Sequence, residues 1–181
     1  MTALTLLTLS GSLRREATNR KLVAEAARLF GPAEVIAADL NLPLYDGDAE
    51  AAEGVPAAVR RLADQIAGAD AIAISTPEYN KAPSGVLKNA LDWVSRTKGS
   101  PWADKPVAVM SAAAGRAGGE LAQAALRHWL TPFQPRVIAG PQIHLAASGS
   151  QFGEDGRLES ERYADALETL MQRLRAEAER G

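Results

Sequence analysis

Side chains that bind phosphate are concentrated in one short stretch near the start of the chain, SGSLRREATN at residues 10–19. The stretch offers hydroxyl, amide and guanidinium groups, and it precedes a segment with helical periodicity. A helix N-terminus favours anions, and an arginine adds charged hydrogen bonds to phosphate oxygens. We therefore predict a phosphate site, with contributions from Ser10, Ser12, Arg14, Thr18 and Asn19. A surface turn before an Asn-capped helix is the alternative that this stretch alone leaves open.

A second polar stretch, TPEYN at residues 76–80, follows the apolar run AIAI at 71–74. Proline makes the backbone rigid where it leaves the predicted strand. An aromatic ring offers a face or an edge to a planar ligand, and amide groups can donate to ring oxygens and nitrogens. We predict that Pro77, Glu78, Tyr79 and Asn80 line a site for a planar ring. The alternative is a tight turn with Glu78 solvated and Tyr79 packed on the surface.

Composition and motif spacing exclude several other kinds of site. The chain contains no cysteine, which excludes disulfides, thiol nucleophiles and thiolate metal sites. His128 and His144 are far apart and show no ligand spacing, so a structural zinc site is not expected. Residues 10–19 match neither the P-loop pattern nor the GxGxxG dinucleotide fingerprint. The net charge is −2 with no basic block, so nucleic acid is not expected as a partner.

The order of the surrounding elements predicts that the two polar stretches lie side by side. Short, wholly apolar runs alternate with helical patterns along the 181 residues, as in a parallel sheet covered by helices on both faces. We predict one α/β domain over residues 1–181, a three-layer sandwich whose five-stranded parallel sheet has the order 2-1-3-4-5. Ligands in that arrangement bind beyond the C-terminal ends of strands one and three, where the winding reverses. Those two ends carry the two polar stretches.

Element boundaries follow from the apolar patterns. We predict strands at residues 4–9, 34–38, 70–75, 106–110 and 136–139, and helices at 19–30, 55–69, from 84, at 119–130 and from 159. Asn19 and Ser84 are predicted to be the N-caps of their helices. The sequence Asp46-Gly47-Asp48 lacks the spacing of an EF-hand calcium loop, and we interpret it as a turn.

Three motifs in this order resemble the NADPH-dependent FMN reductase family: GSLRREATN at 11–19, PEYNKAPSGVLKNALDW at 77–93 and a Gly-rich turn at 111–119. That family includes flavodoxin-like quinone, chromate and azo-dye reductases. The resemblance implies a flavodoxin-like fold. It also implies an enzyme that passes electrons from NADPH or NADH through bound FMN to quinones or similar small-molecule acceptors, by a ping-pong route.

Site residues can be carried over from the resemblance by position. It implies that Ser12 and Arg14 bind the FMN phosphate, with Asn19 at the start of the helix, and that residues 77–80 line the ribityl chain and the isoalloxazine ring. It further implies that the turn at 111–119, with Ser111 and Gly115, supplies backbone amides near the pyrimidine end of the ring. The cofactor performs the chemistry, so no side chain is expected to act as acid or base.

Two positions depart from the family pattern and keep other classes open. The family usually has serine where this chain has Ala17, so one phosphate hydroxyl is missing and Thr18 is a possible substitute. The family often has Pro-Gly where this chain has Ser84-Gly85. A flavodoxin-type electron carrier, or a protein that keeps the fold without flavin, is the alternative, although carriers tend to be more acidic than this chain.

The resemblance also implies a homodimer or homotetramer, with flavin sites at the subunit edges. Trp93 is either an interface aromatic or a residue packed on its own sheet. The N-terminal apolar run is too short to span a bilayer and has no basic region before it, so we expect a cytoplasmic protein with no membrane partner.

Overall fold

The computed structural model of the protein describes residues 3–181, which form six strands and six α-helices. The strands are β1 (Thr5–Ser10), β2 (Glu34–Ala37), β3 (Ala71–Thr76), β4 (Pro106–Ala112), β5 (Arg136–Val137) and β6 (Ile143–Leu145). The helices are α1 (Thr18–Phe30), α2 (Gly47–Glu53), α3 (Ala57–Gly68), α4 (Gly85–Val94), α5 (Glu120–Leu130) and α6 (Glu161–Glu179).

The strands form a parallel sheet in the order β2-β1-β3-β4-β5, which confirms the predicted order. At its C-terminal edge, Ser10 is in register with Ser75, and Thr76 is in register with Ser111. The loops that follow β1, β3 and β4 therefore leave the sheet side by side.

Helices cover both faces of the sheet, as expected for three layers. The helices α3, α4 and α5 pack on one face, where alternate strand residues such as Leu7, Ile72 and Val107 are fully buried. On the other face, α1 and α6 cover the intervening residues, among them Leu6 and Met110. This period-2 division of the central strands between two apolar clusters explains why β1, β3 and β4 are apolar at most positions.

A sixth strand was not predicted. The predicted fifth strand, residues 136–139, ends after two residues at Val137, and the chain returns to the sheet as β6, which pairs with the C-terminal half of β4. Pro141 lies in the intervening segment and has no N–H to donate to a ladder. The sheet edge next to β4 is thus built from two short strands, and β6 brings residues 146–150 to the C-terminal edge of the sheet.

Two predictions about local structure were wrong. The N-cap of α1 is Ala17, which makes no side-chain hydrogen bond, because the Asn19 side chain turns inward to the sheet. The predicted turn at Asp46 begins α2, whose first N–H groups, those of Asp48 and Ala49, donate to the Asp46 carboxylate. The Ser84 cap of α4 is confirmed, since its Oγ accepts from the N–H of Leu87.

Trp93 packs within its own chain and is 2% exposed, so the interface interpretation of this residue was wrong. Its indole N–H donates to the carbonyl of Pro43, and its ring meets Tyr45 edge to face. Within residues 3–181, no helix is both long enough and apolar enough to cross a membrane.

Candidate functional site

The loops after β1, β3 and β4 border a cavity of about 440 Å³ at the C-terminal edge of the sheet. Its volume lies in the range of small-molecule sites, roughly 300–1,000 Å³. Seven of the predicted site residues line it, namely Ser12, Arg14, Thr18, Asn19, Pro77, Glu78 and Tyr79. The two polar stretches therefore meet in one cavity, as the strand order predicted.

Gly11 allows the first loop to lie against the second. A Cβ at this position would be 2.6 Å from Cδ1 of Leu87, 2.9 Å from Oγ of Ser84 and 3.0 Å from Cδ of Pro77. The N–H of Gly11 also donates to the carbonyl of Ser75 across 2.8 Å. The glycine serves close packing of the first loop against Pro77 and the start of α4, since a side chain here would displace these neighbours.

The second loop is a two-residue hairpin turn. The N–H and C=O of Tyr79 exchange hydrogen bonds with those of Ala82, at 2.9 and 3.1 Å. Asn80 and Lys81 form its tip with φ of 51° and 67°, values typical of a turn with two left-handed residues. The turn leaves the Tyr79 side chain 52% exposed at the cavity.

Asn19 ties α1 to the middle of the sheet. Its Nδ2 donates to the carbonyl of Ala112 at 3.0 Å. Its Oδ1 accepts from the hydroxyl of Ser75 at 2.6 Å and from the N–H of Ala112 at 3.2 Å. The residue is 3% exposed, so these three bonds hold the cavity walls from β3, β4 and α1 together.

Glu78 joins the second loop to α5. The N-cap of α5, Gly119, has no side chain to accept a hydrogen bond, and Oε2 of Glu78 accepts instead from the N–H of Ala122 at 3.1 Å. Behind this contact, Gly118 adopts φ +61°, and a Cβ there would lie 2.3 Å from the carbonyl oxygen of His144. The turn between β4 and α5 is therefore fixed by Glu78 on one side and by β6 on the other.

Four predicted residues do not line this cavity. The hydroxyl of Ser10 bonds to the backbone of Ser12, and Asn80 is exposed at the hairpin tip. Ser111 is fully buried, and its hydroxyl donates to the carbonyl of Gly118 at 2.7 Å. Gly115 is exposed in the turn after β4, where its carbonyl accepts from the N–H of Gly118. Their roles as cofactor contacts stay predictions.

The structure also adds residues to the cavity that the sequence did not indicate. Glu16 and Lys21 flank the N-terminus of α1, and Ser148 and Gly149 come from the loop after β6. Lys21 lies three residues after Thr18 on a predicted helix, so helical spacing could have placed it at the site. No signal pointed to Ser148, because its position depends on the strand that was not predicted.

These residues fit a flavin mononucleotide. Arg14, Lys21 and the uncapped N-terminus of α1 form a positive end suited to a phosphate. Pro77 and the exposed ring of Tyr79 form an end suited to a planar ring. Both ends belong to one cavity, as a ligand with a phosphate and a ring requires.

The sequence pattern that describes the NADPH-dependent FMN reductase family matches residues 4–149, most of the chain. The chain belongs to this family. The resemblance inferred from three motifs is thereby confirmed, and the cavity occupies the region where the FMN reductase motifs converge.

Two relatives of this FMN reductase family member match 92% and 77% of its length. It is 38% identical over 168 residues to an NAD(P)H-dependent FMN reductase of Pseudomonas aeruginosa, covering 92% of this chain and 90% of that protein. It is 40% identical over 144 residues to a quinone reductase of Escherichia coli, covering 77% and 76%.

Solved structures agree with the fold. The flavoenzyme NAD(P)H:(acceptor) oxidoreductase FerB from Paracoccus denitrificans superposes with a TM-score of 0.87 at 31% identity, covering 98% of both chains. A flavodoxin, WrbA-like protein from Agrobacterium tumefaciens has a TM-score of 0.65 at 18% identity, covering 99% of both. The second likeness shows the fold alone, and it confirms the flavodoxin-like architecture.

Proposed function

We propose that this protein is an FMN-dependent NAD(P)H oxidoreductase that passes electrons to quinones or similar small molecules in a ping-pong cycle. The observation that carries the proposal is that one cavity is lined both by the cationic side chains of Arg14 and Lys21 near the start of α1 and by the exposed ring of Tyr79. The relatives named as FMN reductase and quinone reductase support both the cofactor and the class of acceptor.

Bound FMN would supply the redox chemistry, namely hydride uptake from NAD(P)H and then transfer of two electrons to the acceptor. The residues of this chain bind and orient the cofactor. Arg14, Lys21 and the first N–H groups of α1 hold the phosphate, and Pro77 and Tyr79 lie along the ring. We propose that donor and acceptor use the same exposed mouth in turn, which gives the ping-pong order.

The test is anaerobic mixing of the FMN-loaded protein with NADPH, and separately with NADH, while the absorbance of oxidised flavin is recorded. We expect this absorbance to fall after mixing, as the flavin is reduced, and to recover when a benzoquinone is added. A flavin colour that stays unchanged with both donors would contradict the reductase proposal and favour an electron carrier. Failure to load FMN would favour a protein that keeps the fold without flavin.

We further propose a homo-oligomer with the cavity near a subunit boundary. Three exposed apolar side chains lie on segments that contribute to the site: Leu13 is 42% exposed, Tyr79 52% and Leu121 51%. Leu13 follows the cavity residue Ser12, and Leu121 precedes Ala122, whose N–H donates to Glu78. Exposed apolar side chains near a site are a feature of surfaces that bind another protein. Light scattering coupled to size-exclusion chromatography should give two or four times the chain mass of 19.1 kDa. A mass equal to that of one chain would contradict the proposal.

The cytoplasmic location and the single domain stay predictions.

A further inference from the structure

Two hydroxyl groups from distant parts of the chain meet in the wall of the cavity. The Oγ1 atom of Thr18, the first residue of α1, lies 2.9 Å from the Oγ atom of Ser148. Ser148 is 3% exposed and follows β6 by three residues. Its N–H donates to the carbonyl of Ala113 at 3.1 Å, so its backbone is fixed against the turn after β4. Both hydroxyl-bearing residues line the cavity.

The pair has a proton left to donate. Each hydroxyl has one O–H donor and two acceptor positions. When one hydroxyl donates to the other, the accepting hydroxyl keeps its own O–H, and within residues 3–181 neither oxygen has a second hydrogen-bond partner. The pair is part-buried, with Ser148 buried and Thr18 half-buried. The remaining O–H is therefore free to donate to a ligand atom in the cavity.

The pair lies at the end of the cavity that suits an anion. The N-cap Ala17 has no side-chain acceptor, and it leaves the first N–H groups of α1 without a capping partner. Arg14 and Lys21 line the same cavity, and its lining residues also include two carboxylates, those of Glu16 and Glu78. The Glu78 carboxylate already accepts from the N–H of Ala122. An ionised phosphate oxygen is therefore a better acceptor for the free O–H than a neutral group would be.

We propose that Ser148, acting with Thr18, is a phosphate-binding residue of the site and donates to the phosphate monoester of the bound flavin. This inference rests on the proposed function, and it adds a contact from the loop after β6 to those of the first loop. It supplies the hydroxyl that the side chain of Ala17 lacks. The pair thus links α1, the cofactor phosphate and the loop after β6.

The test uses the full chain freed of flavin and titrated with FMN and with riboflavin, which has the same ring and ribityl chain but no phosphate. In Ser148→Ala, we expect the dissociation constant for FMN to rise about tenfold, since a hydrogen bond to a charged group is lost. The dissociation constant for riboflavin should stay within about twofold, because the missing contact involves the phosphate alone. Thr18→Val, which keeps the shape of the side chain, should give the same phosphate-selective loss.

The matched control is Ser150→Ala, which removes an exposed hydroxyl from the same loop, bonded to the carbonyl of Ala147. It should change neither constant. Equal losses for FMN and riboflavin in Ser148→Ala would overturn the inference and assign the pair to holding the loop in place. Unchanged FMN binding in both variants would also overturn it. Failure of the unaltered chain to bind FMN would instead overturn the proposed function, and this inference with it.

Discussion

Arg14 is the side chain on the first loop that brings a full positive charge to the cavity. We expect Arg14→Ala to weaken FMN binding about tenfold, the lower end of the range for a charged hydrogen bond, because Arg14 is exposed and its charge is screened. The measurement is a fluorescence titration of the flavin-free protein at two salt concentrations. Arg15→Ala is the matched control, since Arg15 is also exposed but does not line the cavity. Equal losses in the two variants would show a general charge effect and contradict a contact by Arg14.

The side chain of Asn19 stabilises the fold through its hydrogen bonds to Ser75 and Ala112. Asn19→Ala would leave the carbonyl and N–H of Ala112 and the hydroxyl of Ser75 without their partner in a buried position. We expect the free energy of unfolding of the flavin-free protein to fall by about 3 kcal/mol, since each buried unsatisfied group costs about 1–3 kcal/mol. Urea denaturation measures this loss.

The matched control for Asn19→Ala is Asn41→Ala, which removes an exposed asparagine side chain. It should change the free energy of unfolding by less than about 0.5 kcal/mol. A loss below about 1 kcal/mol in Asn19→Ala would mean that the three bonds contribute little net stability.

Residue types alone located the cavity well but did not settle what each side chain does. The hydroxyl, amide and guanidinium groups at 10–19 marked the correct loop, and seven predicted residues share one cavity. Asn19 was predicted as a cap because asparagine is a good cap. Its inward orientation depends on Ser75 and Ala112, which are adjacent only after the sheet has formed.

At the scale of elements, α5 depends on a cap that another loop supplies. Glu78 accepts from the N–H of Ala122, while its side chain is 13% exposed. We expect Glu78→Ala to lower the free energy of unfolding by about 1 kcal/mol, the usual cost of losing a helix cap. Glu78→Gln keeps an oxygen that can accept the same hydrogen bond, so it should retain most of this stability. Thermal unfolding of the flavin-free variants measures the difference, and equal losses in Ala and Gln would assign the effect to charge.

The strand order could be predicted because five apolar runs separated by helical patterns match a doubly wound fold, for which 2-1-3-4-5 is a common order. Both faces of each central strand are buried, so their sequences carry a strong signal. The three-residue strand β6 carries almost none, and its pairing with β4 arises only from the packed sheet. The position of Ser148 at the site could not be predicted for the same reason, since nothing in the local sequence shows that residues 146–150 return to the site.

At the scale of the whole molecule, the cavity exists only in the folded chain. Its walls come from residues 12–21, 77–79, 112–114 and 148–149, which lie far apart along the sequence. A ligand of this cavity binds the folded state alone, so FMN should stabilise the protein by about 2.7 kcal/mol at a concentration of 100 times its dissociation constant. Differential scanning fluorimetry should show an unfolding temperature that rises with FMN and rises less with riboflavin. An unfolding temperature independent of FMN would contradict the site.

Stability should also depend on pH through His144, which lies on β6 under α5. Burial lowers the pKa of His144 below its ordinary value of 6.5, Arg127 lowers this pKa further, and Glu120 opposes the shift. Below about pH 6.5 the unfolded chain therefore takes up a proton that the folded chain resists. The stability that the neutral imidazole allows is therefore fully present above that pH and is lost as the pH falls below it. For one group, the free energy of unfolding falls by at most about 1.4 kcal/mol per pH unit.

Urea denaturation between pH 7.5 and 5.5 tests this dependence. We expect the free energy of unfolding to fall less steeply with pH in His144→Gln than in the unaltered chain, because the variant has no imidazole to protonate there. The backbone carbonyl of His144, which accepts from the Tyr163 hydroxyl at 3.1 Å, is kept in the variant. The control is His128→Gln, which removes the exposed histidine of α5. Comparing the two variants separates the effect of burial from that of losing an imidazole. Parallel pH curves for the unaltered chain and His144→Gln would show that other groups, such as the carboxylates, account for the acid sensitivity of the fold.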